Sequence, residues 1–296
     1  MVYFQTYLRK WINIKNLNFN HLSANPNAIE ILKLNKEKIN WFYFSGNPNA
    51  IEYINENKNK INWRNLSSNP NAIEILKENQ DKIYWQCLSG NPNAIEILKE
   101  NQDKIDWYHL SSNPNAIEIL EKNIDYIYWN KLTINPNAIN IIKENLNKIN
   151  WFYLALNPNP NIIELLLEKP NWHLLSENPN AIKFLKAKPE KINWDLLSLN
   201  PNAIDILKTN QDKINWILLS SNINAIEILE ENIDKINWNN ISYNPSIFTY
   251  DYDLIRENFK DLGEEIIHKA LHPKRMLRLM EEYGEDEIYK CYFDEE

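Results

Sequence analysis

The chain has 296 residues and only four glycines, too few for a glycine-rich phosphate cradle or for a β-rich architecture that turns repeatedly through left-handed backbone. Its 44% hydrophobic and 24% charged residues are those of an ordered soluble chain and not of a disordered one. Of the net charge of −8, fourteen acids against seven bases fall after residue 246, so the long preceding body is near neutral and carries no global electrostatic footprint for nucleic acid.

The start, Met1 to Lys10, lacks an apolar signal core, and no run anywhere approaches the roughly twenty apolar residues of a membrane span; residues 1–18 form a segment apart. The segment holds Trp11 but fits no complete repeat, so it is expected to act as an N-terminal cap over the first exposed apolar face.

From residue 19 to 246 the chain is periodic. Asn-Pro-Asn-Ala-Ile or a variant begins at Asn25, Asn47, Asn69, Asn91, Asn113, Asn135, Asn159, Asn178, Asn200 and Asn222, a spacing of twenty-two residues in most steps. Trp41, Trp63, Trp85, Trp107, Trp129, Trp151, Trp172, Trp194, Trp216 and Trp238 keep step with it, while the first unit has Phe19 at that place. A fixed period of this length means stacked supersecondary units.

The unit from Asn69 to Gly90 shows the logic. Asn69 suits a helix N-cap and Pro70 the first helical position, where a missing N–H costs nothing. Ala72, Ile73, Ile75 and Leu76 cover one face of a helix of about ten residues, and Asn79 is placed to end it in the left-handed conformation. Asn or Asp before the tryptophan, as in Asn62-Trp63 and Asp106-Trp107, reads as a second cap. A single turn, of 3-10 type, would then bury Trp63 and Leu66. Neither piece is long enough to be stable alone, so neighbours must supply the packing, each buried Ile or Leu contributing roughly 1.5–3 kcal/mol before entropy.

The fold expected is therefore all-α, an elongated α-solenoid of 22-residue repeats with the ten tryptophans as its structural core. Ten or eleven units would extend on the order of 100 Å along a curved path. Two irregularities stand out. Residues 157–178 carry a doubled Asn-Pro and a turn shortened at Lys169-Pro170-Asn171, and Asn244-Pro245-Ser246 starts a unit that does not continue. Residues 247–296 are expected to form a helical C-terminal cap, with helices over 251–260, 262–272 and 273–283, a cap at Gly284 and an acidic tail from Glu285 to Glu296. The basic cluster Lys269, Lys274, Arg275 and Arg278 would make it a docking element instead.

Little in the chain points to catalysis. His268 and His272 are spaced i,i+4, but no Cys or third His completes a metal set, and His21, His109 and His173 lie too far apart to converge. Cys87 and Cys291 form no motif, which suits a reducing compartment. No phosphate loop, nucleophile elbow or distinctive acid pair is present, so neither enzyme activity, metal nor cofactor is expected. An acidic row (Glu30, Glu52, Glu74, Glu96, Glu118) and a basic row (Lys38, Lys60, Lys82, Lys104) run along the repeats, and mutual neutralisation is the simpler account of both. The positions just after each tryptophan vary on an otherwise constant frame. Phe42, Tyr43, Arg64, Tyr108, His109, Phe152 and Tyr153 are the candidate partner-binding residues among them, because aromatic and arginine side chains are enriched at interface anchors.

The repeat Asn-Pro-Asn-Ala-Ile-Glu-Ile-Leu-Lys-Glu-Asn (69–79), with Lys-Ile-Asn-Trp-x-x-Leu-Ser (60–67), resembles the short repeats in proteins of giant DNA viruses that infect amoebae. The stretch Ala270-Leu271-His272-Pro273-Lys274-Arg275 is similar to C-terminal segments of the same group. The resemblance covers 19–246 closely and the rest loosely. It implies a viral protein acting in the host cytoplasm or the virion, not secreted, and carries over no functional residues. In architecture the unit is similar to leucine-rich-variant repeats, which alternate an α-helix with a 3-10 turn. The expected function is a non-catalytic scaffold binding viral or host proteins, the alternatives being a nucleic-acid-binding solenoid or a virion structural component.

Overall fold

The computed structural model describes residues 6–250, Arg256, Lys260 and 271–284. The expected helices over 251–260 and 262–272, apart from those single positions and Leu271 and His272, lie outside the described residues, as do His268, Lys269 and the tail from Glu285. The chain divides into two compact units, Leu8–Phe248 and one made of Met1–Tyr7 with Thr249–Glu296. In the second, the helix Pro273–Tyr283 is present, and Gly284 ends it at φ 94° with its N–H donating to Met280 O.

Leu8–Phe248 is an all-α repeat solenoid. In the unit from Asn69, the Asn69 Oδ1 accepts from Asn71 N at 3.0 Å, the α-helix Ile73–Glu78 follows, then the 3-10 turn Gln80–Lys82 and the short α-helix Trp85–Ser89. The piece after the tryptophan is thus α-helical, and the 3-10 geometry sits in the turn before it. Asn79 does end the first helix, but not through left-handed backbone. Its φ is −134°, its side-chain amide donates to Ile75 O at 2.9 Å, and among the described residues only Gly284 has positive φ. The side chain satisfies the orphan carbonyl that a left-handed residue would otherwise serve. The second cap is present where its chemistry allows: Asn62 Oδ1 accepts from Asn65 N at 3.1 Å, and Asp106 from His109 N at 3.0 Å.

Three columns of fully buried side chains run through the units: Ala72, Ala94 and Ala116; Leu76, Leu98 and Leu120; Leu66, Leu88 and Leu110. The tryptophans are not inside this core. They are half-buried and packed against it, in most units with a lysine Nζ of the next unit over the ring, as Lys82 lies over Trp63 at 4.8 Å. The deep core belongs to Leu and Ala, and the ten tryptophans form its rim.

Neighbouring units are joined by the asparagines. Asn69 Nδ2 donates to Ser45 O at 3.0 Å and Asn47 O at 2.8 Å, while Asn71 Nδ2 reaches Pro48 O at 2.9 Å. Ser67 Oγ donates to Trp63 O and accepts from Tyr84 N at 3.0 Å in the next unit. Asn69 and Ser67 are fully buried and their side chains are hydrogen-bonded, as buried polar groups must be, whereas the Asn71 bond is exposed. The irregular unit also resolves: Asn157, and not Asn159, takes the buried ladder position, donating to Thr133 O and Asn135 O. Asn159 instead plays the second asparagine and reaches Pro136 O. Two residues are inserted before the helix Ile163–Glu168, and three are lost from the turn before Trp172.

The ladder does not stop at the last unit. Asn244 donates to Ser220 O and Asn222 O, and Asn25 donates in turn to Ser242 O and Asn244 O. Asn18 N donates to Ser242 Oγ at 2.9 Å, as Asn40 N does to Ser23 Oγ. The path expected to remain open therefore closes on itself. Its closing unit is shared between distant parts of the chain. The Asn244-Pro245-Ser246 start is completed by the 3-10 turn Ile14–Asn16, Leu17 and the helix Phe19–Leu22, with Phe19 in the tryptophan place. Arg9 ties the halves together through its N–H to Ile247 O and its Nε to Ser246 O at 2.8 Å, and the strand Thr6–Leu8 pairs with Phe248–Tyr250. Of the segment 1–18, Ile12 and Leu17 are buried in the core with Leu8 and Trp11 packed against it, and the unit of Trp238 adjoins through Asn18 and His21. Eleven ladder asparagines (25, 47, 69, 91, 113, 135, 157, 178, 200, 222 and 244) make the closed run.

Candidate binding face

Bonds between units that reach main chain concentrate along the Ser-x-Asn-Pro-Asn link, whereas the helix Ile73–Glu78 meets its neighbours through long side chains.

Along the longer helices, Glu30, Glu74, Glu96 and Glu118 of the acidic row are paired with lysines. Lys33 pairs with Glu30 at 3.0 Å, Lys77 with Glu74 at 2.9 Å, and Lys208 with Glu227 of the next unit at 2.8 Å. Lys99 lies between Glu96 and Glu118, each at 3.3 Å, and Lys122 also bonds Glu118. Hydrogen bonds from Lys122 and Lys99 lower the Glu118 pKa, and the Lys208 bond lowers that of Glu227. The lysine row has a separate task. Lys60, Lys82 and Lys104 each place Nζ over the indole of the preceding unit, 5.3, 4.8 and 4.6 Å from Trp41, Trp63 and Trp85. Four of the five acids and all four lysines are therefore engaged within the frame.

What the frame leaves free is the short helix after each tryptophan. Its first residue is exposed throughout the regular units, large and apolar at Phe42, Tyr108, Phe152 and Ile217 and polar at Arg64 and His173. The next residue is half-buried at Tyr43, His109, Leu174, Leu196 and Leu218, as the sequence suggests, and more exposed at Tyr153. The candidates form edge-on pairs, Phe42 with Tyr43 at 5.2 Å, Tyr108 with His109 at 5.2 Å and Phe152 with Tyr153 at 5.4 Å. The pairs stand on the same side of units two or three steps apart, so they form one face and not one pocket.

Two aromatic groups were not singled out by sequence reasoning. At the closure, His21 stacks on Tyr243 at 4.2 Å, with Tyr43 edge-on to both. Between the units of Trp107 and Trp129, the exposed rings of Tyr108, Tyr126 and Tyr128 surround a groove of about 470 Å³ with Asp106 and Asp125 in its wall. A signal for the second group was available: Tyr126 stands where flanking units carry Lys, and Tyr128 where most carry Asn.

Among the described residues no three of His, Cys, Asp or Glu are grouped to hold a metal ion, and no helix is long and apolar enough to cross a membrane. No family model, no curated protein and no solved structure matches the chain.

Proposed function

We propose that the chain is a non-catalytic interaction scaffold, its closed run of units presenting the residues that follow each tryptophan to a protein partner, viral or host. One observation carries the reading. On a frame whose buried positions repeat unit by unit, exposed Phe42, Tyr108, Phe152 and Ile217 occupy the same surface position, where packing does not require them. Aromatic residues repeated on one exposed face favour a protein interface, since such anchors concentrate binding energy. Nucleic acid is the weaker reading because the repeat lysines are engaged over indoles or beside carboxylates, and phosphate neutralisation normally dominates such affinity.

The test is comparative affinity capture from expressing cells, with and without nuclease, using the wild-type chain and the triple variant F42A/F152A/I217A. Circular dichroism melting confirms that the variant folds. The reading predicts nuclease-resistant proteins retained by the wild type and lost from the variant. Identical retention by both chains, or loss of all retained material after nuclease, overturns it.

A further inference from the structure

We infer that the groove between the units of Trp107 and Trp129 receives the guanidinium of an arginine side chain from a protein partner. The inference rests on the scaffold reading and gives that partner its chemistry.

In flanking units the tryptophan ring is faced by a lysine of the following unit: Lys82 over Trp63 at 4.8 Å, Lys104 over Trp85 at 4.6 Å and Lys148 over Trp129 at 4.9 Å. At Trp107 the lysine is replaced by Tyr126, whose ring stacks on the indole at 4.8 Å and remains 58% exposed on its other side. At the cap position, Asp106 stands where Asn62 and Asn150 stand in other units. Loss of one lysine and gain of one aspartate are partly offset by Lys131, which stands where Asn65, Cys87 and Tyr153 stand in other units, so the groove is one charge more negative than the frame around it.

The charges present do not cancel that excess. Asp106 is occupied, its Oδ1 bonding the His109 ring at 2.8 Å. Among the described residues nothing pairs with the Asp125 carboxylate. Lys131 holds its Nζ over Tyr108 at 4.6 Å, so a ring of this cluster already carries one cation, while Tyr128, edge-on to Tyr108 at 5.5 Å, is 54% exposed. The groove thus combines open π faces with an unpaired carboxylate, and it has lost the built-in cation of its neighbours.

Arginine fits this combination better than other cations. Its guanidinium is flat and weakly hydrated, so it can lie on the Tyr126 or Tyr128 ring while its N–H fork donates in plane to Asp125. A quaternary ammonium has no N–H to offer the carboxylate, and a lysine ammonium must shed a tighter water shell in an open groove.

The experiment titrates the full chain with fluorescein-labelled Gly-Ser-Arg-Ser-Gly and with its lysine, trimethyl-lysine and citrulline counterparts, reading anisotropy. The variants are D125N and Y126K, the second restoring the lysine that flanking units carry, and thermal melting confirms that both fold. The arginine peptide is expected to bind about tenfold more tightly than the citrulline peptide, and Y126K to lose about tenfold. Equal binding of arginine and citrulline, tighter binding of trimethyl-lysine, or unchanged binding by folded Y126K overturns the proposal. If the arginine peptide fails while F42A/F152A/I217A still loses its retained proteins, the groove falls and the scaffold stands. Arginine-selective binding with no effect of that triple variant on capture overturns the scaffold face and keeps the groove.

Discussion

The side-chain amide of Asn25 donates to Asn244 O at 3.0 Å, the bond that Asn47 makes to Asn25 O at 2.9 Å. The first and last units are therefore joined by the same chemistry as any interior pair, and no unit lacks a neighbour. Open arrays are held by nearest-neighbour interfaces, so their end units open first. Here, amides in Phe19–Leu22 and Trp238–Ile241 should exchange as slowly as those in Trp107–Leu110 in a hydrogen-exchange measurement. Asn25→Ala should raise exchange at both seam helices together while leaving Trp107–Leu110 protected. Faster exchange at both seam helices of the wild-type chain would show that the run is open in solution.

Each ladder asparagine is buried and donates twice; at Asn113, removal leaves Ser89 O without this donor and leaves Asn91 O with only the Ala94 N–H. Asn113→Ala, which takes the donor from Ser89 O and Asn91 O, should cost about 1–3 kcal/mol per unsatisfied buried group, partly relieved where water enters. Asn115→Ala removes only an exposed bond to Pro92 O and should cost about 0.5–1.5 kcal/mol. Urea unfolding midpoints with unchanged slopes would give the two values, and equal losses would contradict the distinction.

How much of this could be read from residues alone depends on distance along the chain. Asn69 is recognisable as a cap because its partner, Asn71 N, is two residues away. Its second task, bonding Ser45 and Asn47, becomes visible only once successive units are known to lie side by side. At Asn157 and Asn159 two Asn-Pro pairs compete for one ladder position, and local pattern cannot rank them because burial decides. The closure was hidden more deeply. Residues 1–18 read as a cap and Asn244-Pro245-Ser246 as a start that does not continue, although residues 13–22 and 244–247 complement each other as halves of one unit. Trp63 misled in the opposite sense: its size suggests the centre of a core, yet an amphipathic ring at a helix start packs better at the rim, with Lys82 on its exposed face.

That division between core and rim has an energetic signature. Leu66 is fully buried, so Leu66→Ala should destabilise by about 2–5 kcal/mol through lost transfer energy and the cavity left behind. Lys82→Met keeps most of the stem that covers Trp63 and removes only the charge over the ring, so it should cost about 0.5–1 kcal/mol. Thermal melts of the two single variants would order them, and a Lys82→Met loss as large as that of Leu66→Ala would mean that the cation, and not the leucine column, holds the units together.

The closing seam should also respond to alkaline pH through Tyr243. Burial first, then the charge and hydrogen bond of Tyr43, raise the Tyr243 pKa above the ordinary tyrosine value. A raised pKa means that the folded chain keeps the phenol proton after the unfolded chain has lost it. The stabilising contribution is therefore complete below the unfolded value of about 10 and is lost as pH rises through the higher folded value. Lys99 and Lys208, whose pKa values are raised by hydrogen bonds to Glu118 and Glu227, lose their contributions in the same direction, but they do so equally in any Tyr243 variant. Tyr243→Phe isolates the seam. Urea midpoints followed from about pH 8 to 11.5 should fall more steeply for the wild type than for Tyr243→Phe, with the curves converging at the alkaline end. Parallel curves would mean that Tyr243 titrates alike in the folded and unfolded chains, and that its phenol contributes nothing to the alkaline response of the seam.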